Sequence, residues 1–87
     1  MAWKIDYTKT AREQLKKLPR DIALRIIKYM DERAALSPRQ YGKEMKGEYS
    51  GCWRYRVGKY RIICSLHDDI LTVEVIRIGA RGDVYKK

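Results

Sequence analysis

Apolar and basic residues alternate from Trp53 to Val57, and Gly58-Lys59 follows before a second apolar-rich run from Tyr60 to Leu66. A period of two around such a pair predicts a β-hairpin with a two-residue turn. That turn pairs Val57 with Tyr60, Arg56 with Arg61, Tyr55 with Ile62, Arg54 with Ile63 and Trp53 with Cys64. Side chains alternate faces along a strand. Trp53, Tyr55, Val57, Tyr60, Ile62 and Cys64 therefore share one face, and Arg54, Arg56 and Arg61 share the other.

The period changes toward the N-terminus. Ala2 to Tyr7 alternates weakly, with Trp3, Ile5 and Tyr7 on one face of a short strand. Thr8 or Thr10 can cap the helix that follows. Ala11, Leu15 and Leu18 then fall at helical spacing, and Leu18-Pro19 ends that helix. Asp21 to Leu36 predicts a second helix with an apolar stripe of Ile22, Ala23, Ile26, Ile27, Met30 and Ala34. Two such stripes need a cover, and the Trp53/Tyr55/Val57/Ile62 face supplies one. Ser37-Pro38 ends the second helix. Arg39 to Ser50 is expected as a connection with Gly42, Gly47 and Gly51 as break points; Lys43 and Lys46 there could touch a polyanion, but as lone loop lysines they read as solvated.

Asp68-Asp69 predicts a second turn, and the β-branched run Ile70 to Ile78 predicts the longest strand. A two-residue turn there pairs Leu66 with Leu71, Cys64 with Val73 and Ile62 with Val75. Leu71, Val73 and Val75 then face the helices, while Thr72, Glu74 and Ile76 join the arginine face. Arg61 lies opposite Ile76, with Glu74 one diagonal away and placed to position it. The expected fold is α+β: an N-terminal strand, a two-helix hairpin, then a three-stranded antiparallel meander with the helices packed on one face. At 87 residues it is expected to be one domain, 1–87.

Charge changes the picture. Twenty basic and 11 acidic residues give a net charge of +9, which favours a polyanionic partner. No apolar run approaches the roughly 20 residues that span a bilayer, so no membrane role and a cytoplasmic location are expected. Cys52 and Cys64 point to opposite faces in the hairpin register and should not bond to each other. With no Cys-x-x-Cys and one histidine, His67, nothing suggests a metal or another cofactor.

The arginine face is the candidate site. Like charges directly across a strand pair destabilise it, so stability alone does not explain Arg56 opposite Arg61. Guanidinium groups stay charged and present a planar fork of donors that fits phosphate. Single-stranded RNA is recognised by such contacts together with stacking on aromatic or guanidinium planes. RNA also carries its own nucleophile. Its 2′-hydroxyl can attack the adjacent phosphate if the strand is aligned and the charge growing on phosphorus oxygens is stabilised.

Several short motifs in order resemble the RelE-type toxins of the RelE/ParE toxin–antitoxin superfamily. They are Lys17-Leu18-Pro19, Ser37-Pro38-Arg39, Met45-Lys46-Gly47, Gly58-x-Tyr60-Arg61 and the closing Gly79-x-Arg81…Val84-Tyr85. The resemblance spans nearly the whole chain. It implies a toxin that enters the A site of the 70S ribosome and cuts the mRNA there, without a metal. Attack by the 2′-hydroxyl would leave a 2′,3′-cyclic phosphate and a 5′-hydroxyl.

The resemblance also assigns roles. Arg54 would position RNA, and Arg56 and Arg61 would stabilise phosphate charge. Arg81 would contact the scissile phosphate or assist the leaving oxygen. Tyr85 would stack on a base and share in proton transfer. Well-known members carry lysines where this chain has Arg54 and Arg56. A lysine can give up its proton and an arginine hardly can, so this pair suits holding a phosphate better than removing a proton. A RelB-like antitoxin is the implied partner, its helix lying on the apolar helical hairpin. Two other readings stay open here: a ParE-like inhibitor of DNA gyrase, and a non-catalytic basic module that binds RNA or DNA and leaves it intact.

Overall fold

A computed structural model of the chain describes residues 2–80. Its elements are β1 (Lys4–Tyr7), α1 (Lys9–Lys17), α2 (Arg20–Tyr29), α3 (Pro38–Tyr41), β2 (Lys43–Glu44), β3 (Trp53–Val57), β4 (Tyr60–His67) and β5 (Thr72–Ala80). The five strands form one sheet in the order β1-β5-β4-β3-β2. β1 runs parallel to β5 and the other pairs are antiparallel. The α+β class, with the helices on one face, is the one expected.

The core lies between the helices and that face. Ala11 from α1 and Ile26 from α2 are fully buried. With Met30 and Ala34 they pack against Tyr55, Val57, Ile62, Cys64, Val73, Val75 and Ile78. Leu15, Leu18 and Ile22 complete the helical side of the contact. Thr8 is the cap of α1, its hydroxyl accepting from the Ala11 N–H at 3.1 Å. The second helix follows its predicted path with one change. Beyond Tyr29 it widens into a π turn, Met30–Ala34, where the Ala35 N–H reaches back to the Met30 carbonyl at 2.9 Å.

The β3–β4 hairpin has the predicted register at all five pairs, from Val57–Tyr60 to Trp53–Cys64. Gly58 takes φ +59°, a conformation that costs glycine little. Both cysteines are free. Cys64 packs in the main core, and Cys52 lies in a small second cluster with Met45, Ile63 and Tyr49.

Three expectations are corrected. The 39–50 connection is not all loop: it contains α3 and the two-residue edge strand β2, which pairs with β3. The β4–β5 turn is longer than two residues. A 3₁₀ turn spans Asp68–Ile70, and Leu71 follows in the left-handed region at φ +46°. Leu66 therefore pairs with Val73 and Cys64 with Val75, two residues away from the expected register. A shift of two preserves faces, so Val73 and Val75 still point to the core, while Leu71 is exposed.

The third correction is a β-bulge. Cys64 pairs with Val75, but Ile63 pairs with Arg77, leaving Ile76 as the extra residue. Beyond it the faces exchange. Ile78 joins the core and Arg77 sits across from Ile63, on the side of Arg54. The first helix secures this irregularity. Thr8 donates through its hydroxyl to the Ile76 carbonyl at 3.2 Å, and Gln14 Oε1 accepts from the Ile78 N–H at 2.6 Å.

Candidate nucleic-acid interface

Arg56 and Arg61 are directly paired on the open face, and Arg54 lies two residues before Arg56 on the same strand. All three line one cleft of about 190 Å³ together with Tyr41, Lys43 and Tyr55. A second recess of about 180 Å³ continues from Arg56 and Arg61 to Gly58, Lys59 and Tyr60 at the hairpin tip. The three sequence-predicted arginines of the hairpin are thus brought together. Arg81 and Tyr85, the other two predicted site residues, lie outside the described residues.

The electrostatics are those of an anion site. Ion pairs on the described surface join Lys4 with Asp6, Arg39 with Asp68 and His67 with Glu74. None of these reaches Arg54 or Arg56. The expected support of Arg61 by Glu74 is absent. Glu74 pairs with Ser65, four residues along β4 from Arg61, which is roughly 13 Å at strand spacing. It lies 3.0 Å from His67 Nε2 instead. Gly79 occupies the position opposite Arg61, and Arg77 is its diagonal neighbour.

The strand and short helix that put Lys43 and Tyr41 beside the arginines were not legible in the sequence. Lys43 in β2 pairs with Arg54, so its side chain shares that face. Tyr41, at the end of α3, stands beside it, with the Arg33 guanidinium 5.8 Å from its ring centroid. Between them Gly42 packs so closely on the core that a Cβ would come 2.9 Å from the Tyr55 ring and 3.0 Å from the Pro38 carbonyl oxygen. The Tyr55 hydroxyl donates to that carbonyl at 2.7 Å. Burial, followed by the influence of Cys64 and Tyr29, raises the Tyr55 phenol above its ordinary range. The buried hydrogen bond of Tyr55 to the Pro38 carbonyl fixes this wall of the cleft. The signal available was Gly42 itself, a small residue where two segments meet.

What this arrangement can do follows from charge and shape. It offers three guanidinium groups and one ammonium group along a shallow cleft that Tyr41 and Tyr55 also line. Such a surface can hold a phosphodiester and stabilise charge growing on it. Among the described residues, no three of His, Cys, Asp and Glu gather in the manner of a metal site. No helix there is long and apolar enough to cross a membrane.

Comparisons with known proteins define the class. The family model for the ParE toxin of type II toxin–antitoxin systems matches residues 5–85. The chain belongs to this toxin family, within the RelE/ParE superfamily. It is 30% identical to toxin RelG of Mycobacterium tuberculosis over 87 residues, the full length of both proteins. It is 29% identical to toxin RelE of the same organism, over 91% of this chain and 81% of that protein. Among solved structures, the RelBE2 toxin–antitoxin complex of M. tuberculosis aligns with a TM-score of 0.88 at 28% identity. The alignment covers 93% of this chain and 100% of that one. The RelB–RelE complex of Methanococcus jannaschii aligns at 0.67 and 30% identity, over 92% and 94% of the two chains.

Proposed function

We propose that this toxin is a ribosome-dependent endoribonuclease that cuts mRNA in the A site of the 70S ribosome by attack of the RNA 2′-hydroxyl. The observation that carries the reading is the cleft in which Arg56 faces Arg61 beside Arg54 and Lys43. In this reading Arg54 aligns the strand. Arg56 and Arg61 stabilise negative charge on the phosphate oxygens as phosphorus becomes five-coordinate. Arg81 contacts the scissile phosphate or assists the leaving 5′-oxygen, and Tyr85 stacks on a base. The guanidinium groups keep their own protons, so the 2′-hydroxyl proton leaves to another group. No cofactor enters the reaction.

The partner proposed with this activity is a RelB-like antitoxin. Its support is the pairing of RelE with RelB in the similar solved structures and a groove between α1 and α2. That groove holds about 310 Å³ and is lined by Leu15, Leu18, Ala23 and Ile27, with Lys16 and Arg20 at its rim. An amphipathic helix with acidic flanks would fit it.

One observation favours a second reading. The matching family model is named for ParE, and a ParE-like protein would poison DNA gyrase with no call on the arginine cleft. Purified ribosomes carrying a defined mRNA separate the two. The endonuclease yields fragments ending in 2′,3′-cyclic phosphate and 5′-hydroxyl, cut at the A-site codon. Intact mRNA together with loss of gyrase supercoiling would replace this reading with the second.

A further inference from the structure

The sequence left Tyr41 and Lys43 in a connection, yet both line the arginine cleft. Their placement is rigid for physical reasons. Gly42 between them is buried and seated against the Tyr55 ring, and the Tyr55 hydroxyl holds the Pro38 carbonyl at the start of the same short helix. On the other side, β2 fixes Lys43 to Arg54 by strand pairing. Tyr41 is 38% exposed and lines the cationic cleft, so part of its ring is open to a ligand there. Arg33 lies over the ring, so a base would take the opposite side, as the third layer of a stack.

We propose that Tyr41 and Lys43 form a nucleotide subsite. Tyr41 would stack on the base next to the phosphate held by Arg54, Arg56 and Arg61, and Lys43 would bind that nucleotide's own phosphate. The inference rests on the endonuclease reading and deepens it. It makes the wall from α3 to β2 a determinant of how the RNA is aligned for in-line attack. Stacking tolerates any base because every base has a flat face, so the wall contributes rate at all sequences rather than codon choice.

The test is single-turnover cleavage on ribosomes programmed with mRNA in which either nucleotide flanking the cut keeps its ribose but lacks its base. Removing the base on Tyr41 should slow the wild-type protein by roughly 5- to 150-fold; removing the base on Tyr85 is told apart because it slows Tyr41→Ala as much as it slows wild type. Tyr41→Ala should lose a similar factor on intact RNA and nothing further on RNA lacking the base on Tyr41. Tyr41→Phe keeps the ring and should restore both the rate and its dependence on the base. Tyr41→Leu fills the same space without an aromatic face and should behave as alanine does, with a melting temperature to show that it folds. Lys43→Gln should flatten the salt dependence of association by about 0.7 in log–log slope, the value for one phosphate contact on a single strand. If Tyr41→Ala is as fast as wild type, or is slowed equally on intact and abasic RNA, the subsite is disproved while the endonuclease stands. If the wild-type protein cuts nothing, the endonuclease reading and the subsite fall together.

Discussion

Arg56 and Arg61 face each other as a directly paired couple across the β3–β4 hairpin, on the side of the sheet that the helices leave uncovered. Two like charges in that position oppose folding, by up to about 1 kcal/mol. Arg56 is exposed and belongs to none of the described ion pairs given above. Arg56→Gln should therefore raise stability to urea by up to about 1 kcal/mol at low salt. The gain should shrink at high salt as screening weakens the repulsion. A variant that loses both stability and activity would mean that Arg56 holds the fold together rather than serving a ligand.

Gln14 is a side chain whose work is done on the far strand. Its amide oxygen accepts from the Ile78 N–H beside the bulge. Gln14→Leu leaves that donor without its partner and should cost about 1–3 kcal/mol in urea denaturation. Unchanged stability would show that the bulge stands without α1.

Gly42 has an ordinary φ of −96°, so only space restricts what can replace it. A methyl group there meets the Tyr55 ring at 2.9 Å. Gly42→Ala should destabilise by about 1–3 kcal/mol, the usual cost of overpacking. It should also slow cleavage by displacing Tyr41 and Lys43. Wild-type stability and rate in this variant would show that the wall shifts without consequence.

Tyr7 buries its hydroxyl, which has no hydrogen-bond partner among the described residues. Burial first, then the nearby Asp31 and Cys64, raises its pKa well above the ordinary tyrosine value near 10. The sign follows from linkage. A folded-state pKa raised above the unfolded one gives stability that is complete below about pH 10 and is lost as pH rises beyond it. Tyr7→Phe should thus be neutral or stabilising at pH 7, by up to about 1 kcal/mol, and should flatten the alkaline unfolding limb above pH 10. A loss of stability at pH 7 would reveal a hydrogen bond to the hydroxyl.

How far the sequence carried the fold depends on what each turn contains. The β3–β4 register was legible because Gly58-Lys59 ends the alternation of β3 with a residue suited to positive φ. The β4–β5 register was not. Its turn places Leu71, not a glycine, in the left-handed region, and no residue type announces that. The bulge left one trace that went unread: Val75 and Ile76 are adjacent apolar residues, and Glu74 and Arg77 stand three apart, so the alternation changes phase there. What creates it is tertiary: Thr8 and Gln14, more than sixty residues away, bond to its backbone. The same limit applies at the site. Arg54, Arg56 and Arg61 were found by face counting. Lys43 was read as a solvated loop lysine because a strand of two residues has no period to read, and Tyr41 was missed because its position depends on Gly42 packing against Tyr55. Glu74 was assigned to Arg61 only through the register that the longer turn overturned.

The most direct measurement is the single-turnover rate of mRNA cleavage on A-site-programmed 70S ribosomes, with wild type beside Arg56→Ala and Arg61→Ala. Removing a group that stabilises transition-state charge typically costs roughly 10²–10³ in rate. Each variant should show a loss of that order, with ribosome binding retained. Wild-type protein that leaves the mRNA whole, or variants that cut at the wild-type rate, would contradict the assignment of the arginine cleft as the place where RNA is cut.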